Sequence, residues 1–278
     1  MDQVILQFFQ SIRHPALTVV FGAFSILGEA AVIGVLAVLL YWLYDGAGEQ
    51  ILCTLLTSVP VNCLAKVAIS RPRPFVAGDA VKLDPPLSLS SLGDSLSFPS
   101  GHAQAAASFY GASAFSARRA RVWIVSLLAM ILIACSRLYF GVHYPTDVIA
   151  GLLFGFLIAI LWSLVFTHLP RARHYILCVF AMIMVIAAFF LRSSDFLRAT
   201  GLVAGGAFFL PIAASVKGKP ADDAMRLWRV PVGIAICAVM FTLNLLLPDG
   251  EGYIVLKWFL LTGAATLGAQ FLFRAFQI

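Results

Sequence analysis

Ser136-Arg137-Leu138-Tyr139-Phe140-Gly141-Val142-His143-Tyr144-Pro145-Thr146-Asp147 sets a serine, an arginine, a histidine and an aspartate between two long apolar runs. Pro145 suits the first turn of a helix, where its fixed φ fits and its missing N–H is not needed. The residue before a proline is pushed toward an extended conformation, which applies to Tyr144. The spacing therefore predicts a helix beginning at Pro145, with His143 just outside it and Asp147 in its first turns. From there the carboxylate can reach back to one imidazole nitrogen, fix the tautomer, and leave the other nitrogen as base or nucleophile. Taken alone, the stretch reads equally well as a polar loop capping a membrane helix.

The apolar runs on either side decide the fold class. Of 278 residues, 61% are hydrophobic and 12% charged, where a soluble domain carries about twice that charge. Mean hydropathy is +0.95. These values call for an all-α polytopic membrane bundle. The net charge of +6 is expected from cytoplasmic loops meeting anionic lipid, with nucleic acid a poor second explanation. Cys53, Cys63, Cys135, Cys178 and Cys237 lie in apolar stretches without metal-like spacing and read as small hydrophobes. The start of the chain carries Asp2 and no basic leading region, so no cleavable signal peptide is expected there.

Residues 1–16 are too short to span, since a crossing takes about 20 residues, and suit an interfacial helix. Nine spans are expected: 19–44, 51–69, the helix after His102, 122–135, 145–166, 175–191, 200–215, 230–247 and 253–273. Glu29 falls near mid-depth of the first, where an acid calls for a partner inside the bundle. Ser58, Asn62 and Lys66 recur every four residues, giving the second span a polar face that should look inward. Lys66, near the exit, could also snorkel to the interface. Arg71-Pro72-Arg73-Pro74 then holds two arginines in an extended segment, suited to bidentate contact with phosphate oxygens or lipid headgroups.

In Pro99-Ser100-Gly101-His102, Ser100 reads as an N-cap and Gly101 permits close backbone approach. Free N–H groups and the dipole at such a helix start suit a phosphate. Asp147, Gly151 and Gly155 are spaced by four, joining the acid to a small-residue seam for tight helix packing.

With nine spans, the basic connections after spans three, five and seven share one side with the C-terminus. That side holds Arg118, Arg119, Arg121, Arg171, Arg173, Lys217, Lys219, Arg226, Arg229 and Arg274. The positive-inside rule makes it cytoplasmic. The polar connection opened by Lys66 and the stretch from Ser136 to Asp147 then meet on the extracytoplasmic face of an inner membrane.

Three segments together resemble the type-2 phosphatidic acid phosphatase superfamily. Its signature is Lys, six residues, Arg-Pro; then Pro-Ser-Gly-His; then Ser-Arg, five residues, His, three residues, Asp. Here these stand as Lys66…Arg73-Pro74, Pro99-Ser100-Gly101-His102 and Ser136-Arg137…His143…Asp147, every spacing met. The resemblance implies a catalytic helical core over 1–168 and leaves 169–278 as accessory membrane helices. It implies hydrolysis of a lipid phosphate or diphosphate through a phosphohistidine, without metal or cofactor. His143 would be the nucleophile, Asp147 its orienting acid and His102 the general acid–base. Lys66, Arg73, Ser100, Gly101 and Arg137 would hold the phosphate. Undecaprenyl diphosphate, phosphatidate and phosphatidylglycerol phosphate all suit the family. Arg71 is off the signature and reads as a supporting or headgroup contact. A lipid phosphotransferase and a non-hydrolytic lipid carrier using the extra spans are the competing readings.

Overall fold

The computed structural model describes residues 2–84, 96–218, 222–248 and 250–278. Lys219 and part of the long connection, residues 85–95, lie outside the described residues. All regular structure among the described residues is helical, as the composition requires. The elements are α1 (Asp2–Ser11), α2 (Pro15–Leu27), α3 (Ala30–Leu43), α4 (Ala47–Ile69), α5 (Gly101–Ala117), α6 (Ala120–Tyr139) and α7 (Pro145–His168). They continue with α8 (Arg173–Ala188), α9 (Ser194–Val216), α10 (Asp223–Leu245), α11 (Glu251–Gly263) and α12 (Ala269–Ala275), the last two joined by a π-helical turn, Ala264–Gly268.

Six of these segments are long and apolar enough to cross a membrane: α4, α6, α7, α9, α10 and the run Glu251–Ala275. The pair α2 and α3 makes a seventh if counted as one span. The protein is thus integral to the membrane, with fewer full-length spans than the nine expected. The shortfall has a local cause: α5 has 17 residues and α8 has 16, below the roughly 20 that a crossing takes.

The expected continuous first span is broken. α2 and α3 meet at a bend of 51°, with Gly28 closing α2. A Cβ on Gly28 would lie 2.5 Å from the Ile133 side chain of α6, so only glycine permits this approach. Glu29 follows immediately and is buried. The N-terminal helix α1 is not simply interfacial. Its Leu6 is fully buried among Ala103, Ala134, Leu138, Tyr144 and Val148, while Val4 and Phe8 are exposed.

The chain forms two compact units, one from Met1–Ala37 and Val61–Ser163, the other from Val38–Pro60 and Leu164–Ile278. Each is built around a glycine seam. In the first, the expected seam on α7 is present. A Cβ on Gly151 would sit 2.5 Å from the Ser100 carbonyl oxygen, and one on Gly155 would overlap the Gln104 carbonyl. In the second, Gly201 and Gly205 of α9 press in the same way on the Val255 and Phe259 carbonyls of α11. Small residues let helix backbones approach closely in lipid, where apolar burial alone gives little reason to associate.

Candidate active site

Four local structures in the first unit place the polar side chains. The first is the end of α4. The polar face expected on this helix is buried at Ser58 and Asn62. Asn62 Nδ2 donates to Gln104 Oε1 at 2.8 Å and to the Pro99 carbonyl at 3.4 Å, fastening α4 to the start of α5. Lys66 does not reach away to the interface: its Nζ donates to the Leu96 carbonyl at 2.5 Å.

The second is the arginine–proline segment. Arg73 is buried, donates through Nη1 to the Val142 carbonyl at 3.0 Å, and lies 3.4 Å from His143 Nε2. Arg71 turns instead to carboxylates. Its Nη1 donates to Asp147 Oδ1 at 2.8 Å and its Nη2 to Asp2 Oδ2 at 3.1 Å, with the guanidinium 3.8 Å over the Tyr144 ring.

The third is the N-terminus of α5. Ser100 is the N-cap, as expected, its hydroxyl accepting from the Ala103 N–H at 3.5 Å. The Ser100 N–H donates to the Asp147 carbonyl at 3.0 Å, tying the second signature segment to the third. A Cβ on Gly101 would meet Asn62 Oδ1 at 3.4 Å, an ordinary contact, so packing alone does not demand glycine there. His102 is half-buried against the α2–α3 break, within electrostatic range of Arg137, His143, Arg73 and Lys66.

The fourth is the turn from α6 into α7. Gly141 takes φ +69°. The Val142 N–H donates to the Arg137 carbonyl at 3.2 Å and the Gly141 N–H to the Leu138 carbonyl at 3.0 Å, closing α6 in a Schellman motif. The chain then reverses, leaves His143 outside the helix, and starts α7 at Pro145 with Asp147 in its first turn. Asp147 Oδ2 accepts the Tyr144 N–H at 2.9 Å, capping the helix it belongs to. Upstream, Arg137 is almost fully buried; its Nη1 donates to Ser25 Oγ at 2.5 Å, and its Nε has no hydrogen-bond partner among the described residues.

The expected reach of Asp147 to His143 is not a direct hydrogen bond. Asp147 Oδ2 is 3.9 Å from His143 Nδ1, beyond hydrogen-bond length. Ser97 stands between them, its hydroxyl donating to Asp147 Oδ2 at 2.5 Å and lying 3.5 Å from His143 Nδ1. The carboxylate is held off the ring by its other donors. Burial pushes the His143 imidazole well below its ordinary value of 6.5, and the cations Arg73, Arg137 and Lys66 push it the same way. Burial also brings Arg73 down to about 10, with Asp147 acting in the opposite sense.

Lys66, Arg73, Ser100, His102, Arg137, His143 and Asp147 are thus brought together around one imidazole, with Gly101 beside them. Arg71, read from the sequence as a supporting or headgroup contact, belongs to the same constellation through Asp147; Ser97 also belongs to it and was not expected there. For Arg71 the only sequence signal is its place in the repeated Arg-Pro pair. Ser97 has no signal beyond lying two residues ahead of Pro99.

Fold and site together define an integral-membrane helical protein with a buried histidine set among cations and backed by an aspartate. Residues 47–171 match the PAP2 superfamily. Over 171 residues the chain is 30% identical to phosphatidylglycerophosphatase B of Bacillus subtilis (strain 168), covering 56% of this chain and 79% of that protein. The chain belongs to the PAP2 superfamily. It is also 40% identical over 72 residues to a lipid A 1-phosphatase of Rhizobium johnstonii, a match spanning 26% of this chain and only 29% of that protein. The crystal structure of Aquifex aeolicus LpxE aligns with a TM-score of 0.51 at 27% identity, over 58% of this chain and 93% of that one.

Proposed function

We propose that this protein is a lipid phosphatase that hydrolyses a membrane lipid phosphate or diphosphate through a phosphohistidine on His143. One observation carries the reading. His143 Nδ1 faces Ser97 and Asp147 while Nε2 faces Arg73, so the nitrogen turned away from the carboxylate is the one beside a cation.

The reaction follows from that arrangement. The Nε2 lone pair attacks phosphorus in line, the P–N bond forms, and the bond to the lipid oxygen breaks. His102, buried among the same cations as His143, takes up a proton as the anionic phosphate binds beside it, gives it to the departing oxygen, then takes a proton from the water that attacks the phosphohistidine. The P–N bond breaks, and phosphate leaves. Lys66, Arg73 and Arg137, with the Ser100 hydroxyl and the Gly101 N–H, hold the equatorial oxygens, where charge is spread in the transition state. The buried, cation-lined setting keeps His143 unprotonated and nucleophilic at neutral pH.

The substrate class is a lipid carrying a terminal phosphate. Undecaprenyl diphosphate, phosphatidate and phosphatidylglycerol phosphate fit the chemistry, and the Rhizobium relative's name adds lipid A 1-phosphate. Residues 1–168 supply the chemistry and 169–278 are accessory. With α5 and α8 crossing as short spans, the distribution of basic loops supports an extracytoplasmic site.

The test is phosphate release by the purified protein from each of the four lipids, with and without EDTA, alongside an assay for a phosphorylated acceptor lipid. Free phosphate with EDTA present is the expected result. A phosphorylated acceptor without free phosphate would make the protein a phosphotransferase, and strict dependence on Mg²⁺ would overturn the mechanism. For sidedness, an exposed Ala77→Cys in a cysteine-free background should react with an impermeant reagent on spheroplasts, and Arg119→Cys should not. The reverse pattern turns the site to the cytoplasm.

A further inference from the structure

We propose that Ser97 is a positioning residue of this site, bridging Asp147 to His143 through its hydroxyl; the inference rests on His143 being the nucleophile. Ser97 is fully buried. Its N–H donates to the Arg71 carbonyl at 2.8 Å, so its backbone is fixed by the same segment whose side chain grips Asp147. Its hydroxyl donates to Asp147 Oδ2 at 2.5 Å and lies 3.5 Å from His143 Nδ1. The direct Asp147–His143 distance is 3.9 Å.

The carboxylate is not free to swing and close that gap. Arg71 holds Oδ1 at 2.8 Å, and the Tyr144 N–H holds Oδ2 at 2.9 Å. Arg71 is in turn fixed by Asp2 and by the Tyr144 ring. Asp147 is therefore anchored on the far side, and its influence on the ring passes through Ser97.

Hydrogen-bond capacity decides how the bridge works. A serine hydroxyl has one donor and two acceptor lone pairs. The donor is committed to Asp147, which as a carboxylate can only accept. Toward His143 the hydroxyl can then only accept, as the Ser97 backbone that also bonds the ring does, so the two together favour the tautomer with hydrogen on Nδ1 and the lone pair on Nε2. That is the tautomer an attacking Nε2 requires. As the P–N bond forms, the ring gains positive charge and Nδ1–H becomes a stronger donor. A hydroxyl polarised by a carboxylate meets it better than an isolated one, because linked hydrogen bonds reinforce each other. No proton has to leave Nδ1.

A serine that merely satisfies a buried carboxylate would show the same bond to Asp147, so the test needs a readout that structural loss does not move. Purified full-length Ser97→Ala, Ser97→Thr and wild type are assayed on phosphatidate in mixed micelles, with thermal stability followed in the same detergent. Hydrogen bonds to charged groups translate into a loss of roughly 10- to 100-fold in kcat for Ser97→Ala, with KM within about twofold. Rapid-quench labelling should place the slowing in formation of phosphohistidine. Ser97→Ala keeps the backbone bond from residue 97 to the ring but loses the hydroxyl, so protonated His143, which already faces Arg73, Arg137, Lys66 and His102, loses one of its two acceptors. The acid limb of kcat/KM should therefore move to lower pH in Ser97→Ala and stay in place in Ser97→Thr, which keeps the hydroxyl and most of the rate. If threonine's extra methyl unfolds the site, Ser97→Cys, a weaker partner of similar shape, should fall between serine and alanine.

Wild-type kcat and pH profile in Ser97→Ala would overturn the bridge. So would a loss that is uniform with pH and matched by the loss of folded protein. If wild type releases no phosphate from any of the four lipids, or His143→Ala keeps turnover, the phosphatase reading itself has failed, a result separable from failure of the bridge alone.

Discussion

Each compact unit holds a histidine near a carboxylate that also binds an arginine, and the two are built in opposite ways. In the second unit Glu49 Oε1 accepts from Arg173 Nε at 2.7 Å and from His174 Nε2 at 2.8 Å. One oxygen takes both donors, and the cluster is partly exposed. In the first unit Asp147 gives one oxygen to Arg71 and the other to Ser97 and the Tyr144 N–H. His143 stays 3.9 Å away and almost wholly buried. The tighter contact is the less suited to catalysis. His174 spends a ring nitrogen on a charge pair that is complete in itself, whereas His143 keeps Nε2 turned to a cation. If His143 is the nucleophile, closeness of a histidine to an acid is a poor guide to function, and what the other nitrogen faces is a better one.

The comparison breaks most visibly on the histidines. His143→Ala should lose turnover on every lipid, on the order of 10⁴-fold or more, as for other covalent nucleophiles. His174→Ala should stay within about twofold of wild type. Phosphate release under saturating substrate measures both; comparable losses would remove the distinction between the units.

A smaller and more selective effect is expected at His102. General acid–base catalysis contributes roughly 10²–10⁴-fold. Phosphatidate expels an alkoxide and needs the proton, whereas a diphosphate lipid expels a weakly basic lipid phosphate. In single-turnover experiments His102→Ala should cost the monoester most of that range and the diphosphate noticeably less in the phosphorylation step. Equal costs would show that His102 does not protonate the leaving group.

The glycine seams sharpen the same contrast. Gly151→Ala and Gly201→Ala each push a Cβ against a backbone carbonyl, Ser100 in one unit and Val255 in the other. Each should destabilise by about 1–3 kcal/mol, read as lowered thermal stability in detergent. Only Gly151→Ala should also lower the rate per folded molecule, by roughly 10-fold, because small displacements of positioning groups are costly.

The subtlest effect is on pH. Because His143 is pushed below 6.5 by burial and neighbouring cations, its neutral form persists until pH falls through that lowered value. The acid limb of kcat/KM should therefore lie below 6.5. Between the lowered value and 6.5 the unfolded chain binds a proton that the native one does not, so this residue makes stability rise with pH across that window. An acid limb at or above 6.5 assigned to His143 would contradict the burial argument.

These outcomes also separate what was readable in the sequence from what was not. The start of α7 at Pro145, the Ser100 cap and the Gly151–Gly155 seam follow rules acting within a few residues, and all are present. The bend at Gly28 is set by Ile133, a side chain on another helix, so no local pattern announces it. Arg71 and Ser97 meet Asp147 across 76 and 50 positions of chain. The signature spacings singled out the imidazole and the cations near it, yet they gave no sign that a serine would stand between the aspartate and the ring. The shortness of α5 and α8 was legible, since the basic turn at Arg118 ends the one and the apolar run 175–191 matches the other in length; what misled was counting every apolar run as a full crossing.

The most direct test of the central claim is rapid-quench labelling of His102→Ala with a radiolabelled diphosphate lipid. Without its base the second half-reaction should stall, and an acid-labile phosphoenzyme should accumulate on His143 and vanish in the His102→Ala, His143→Ala double variant. Label on any other residue, or persistent turnover with His143 removed, would contradict the assignment of His143 as the nucleophile.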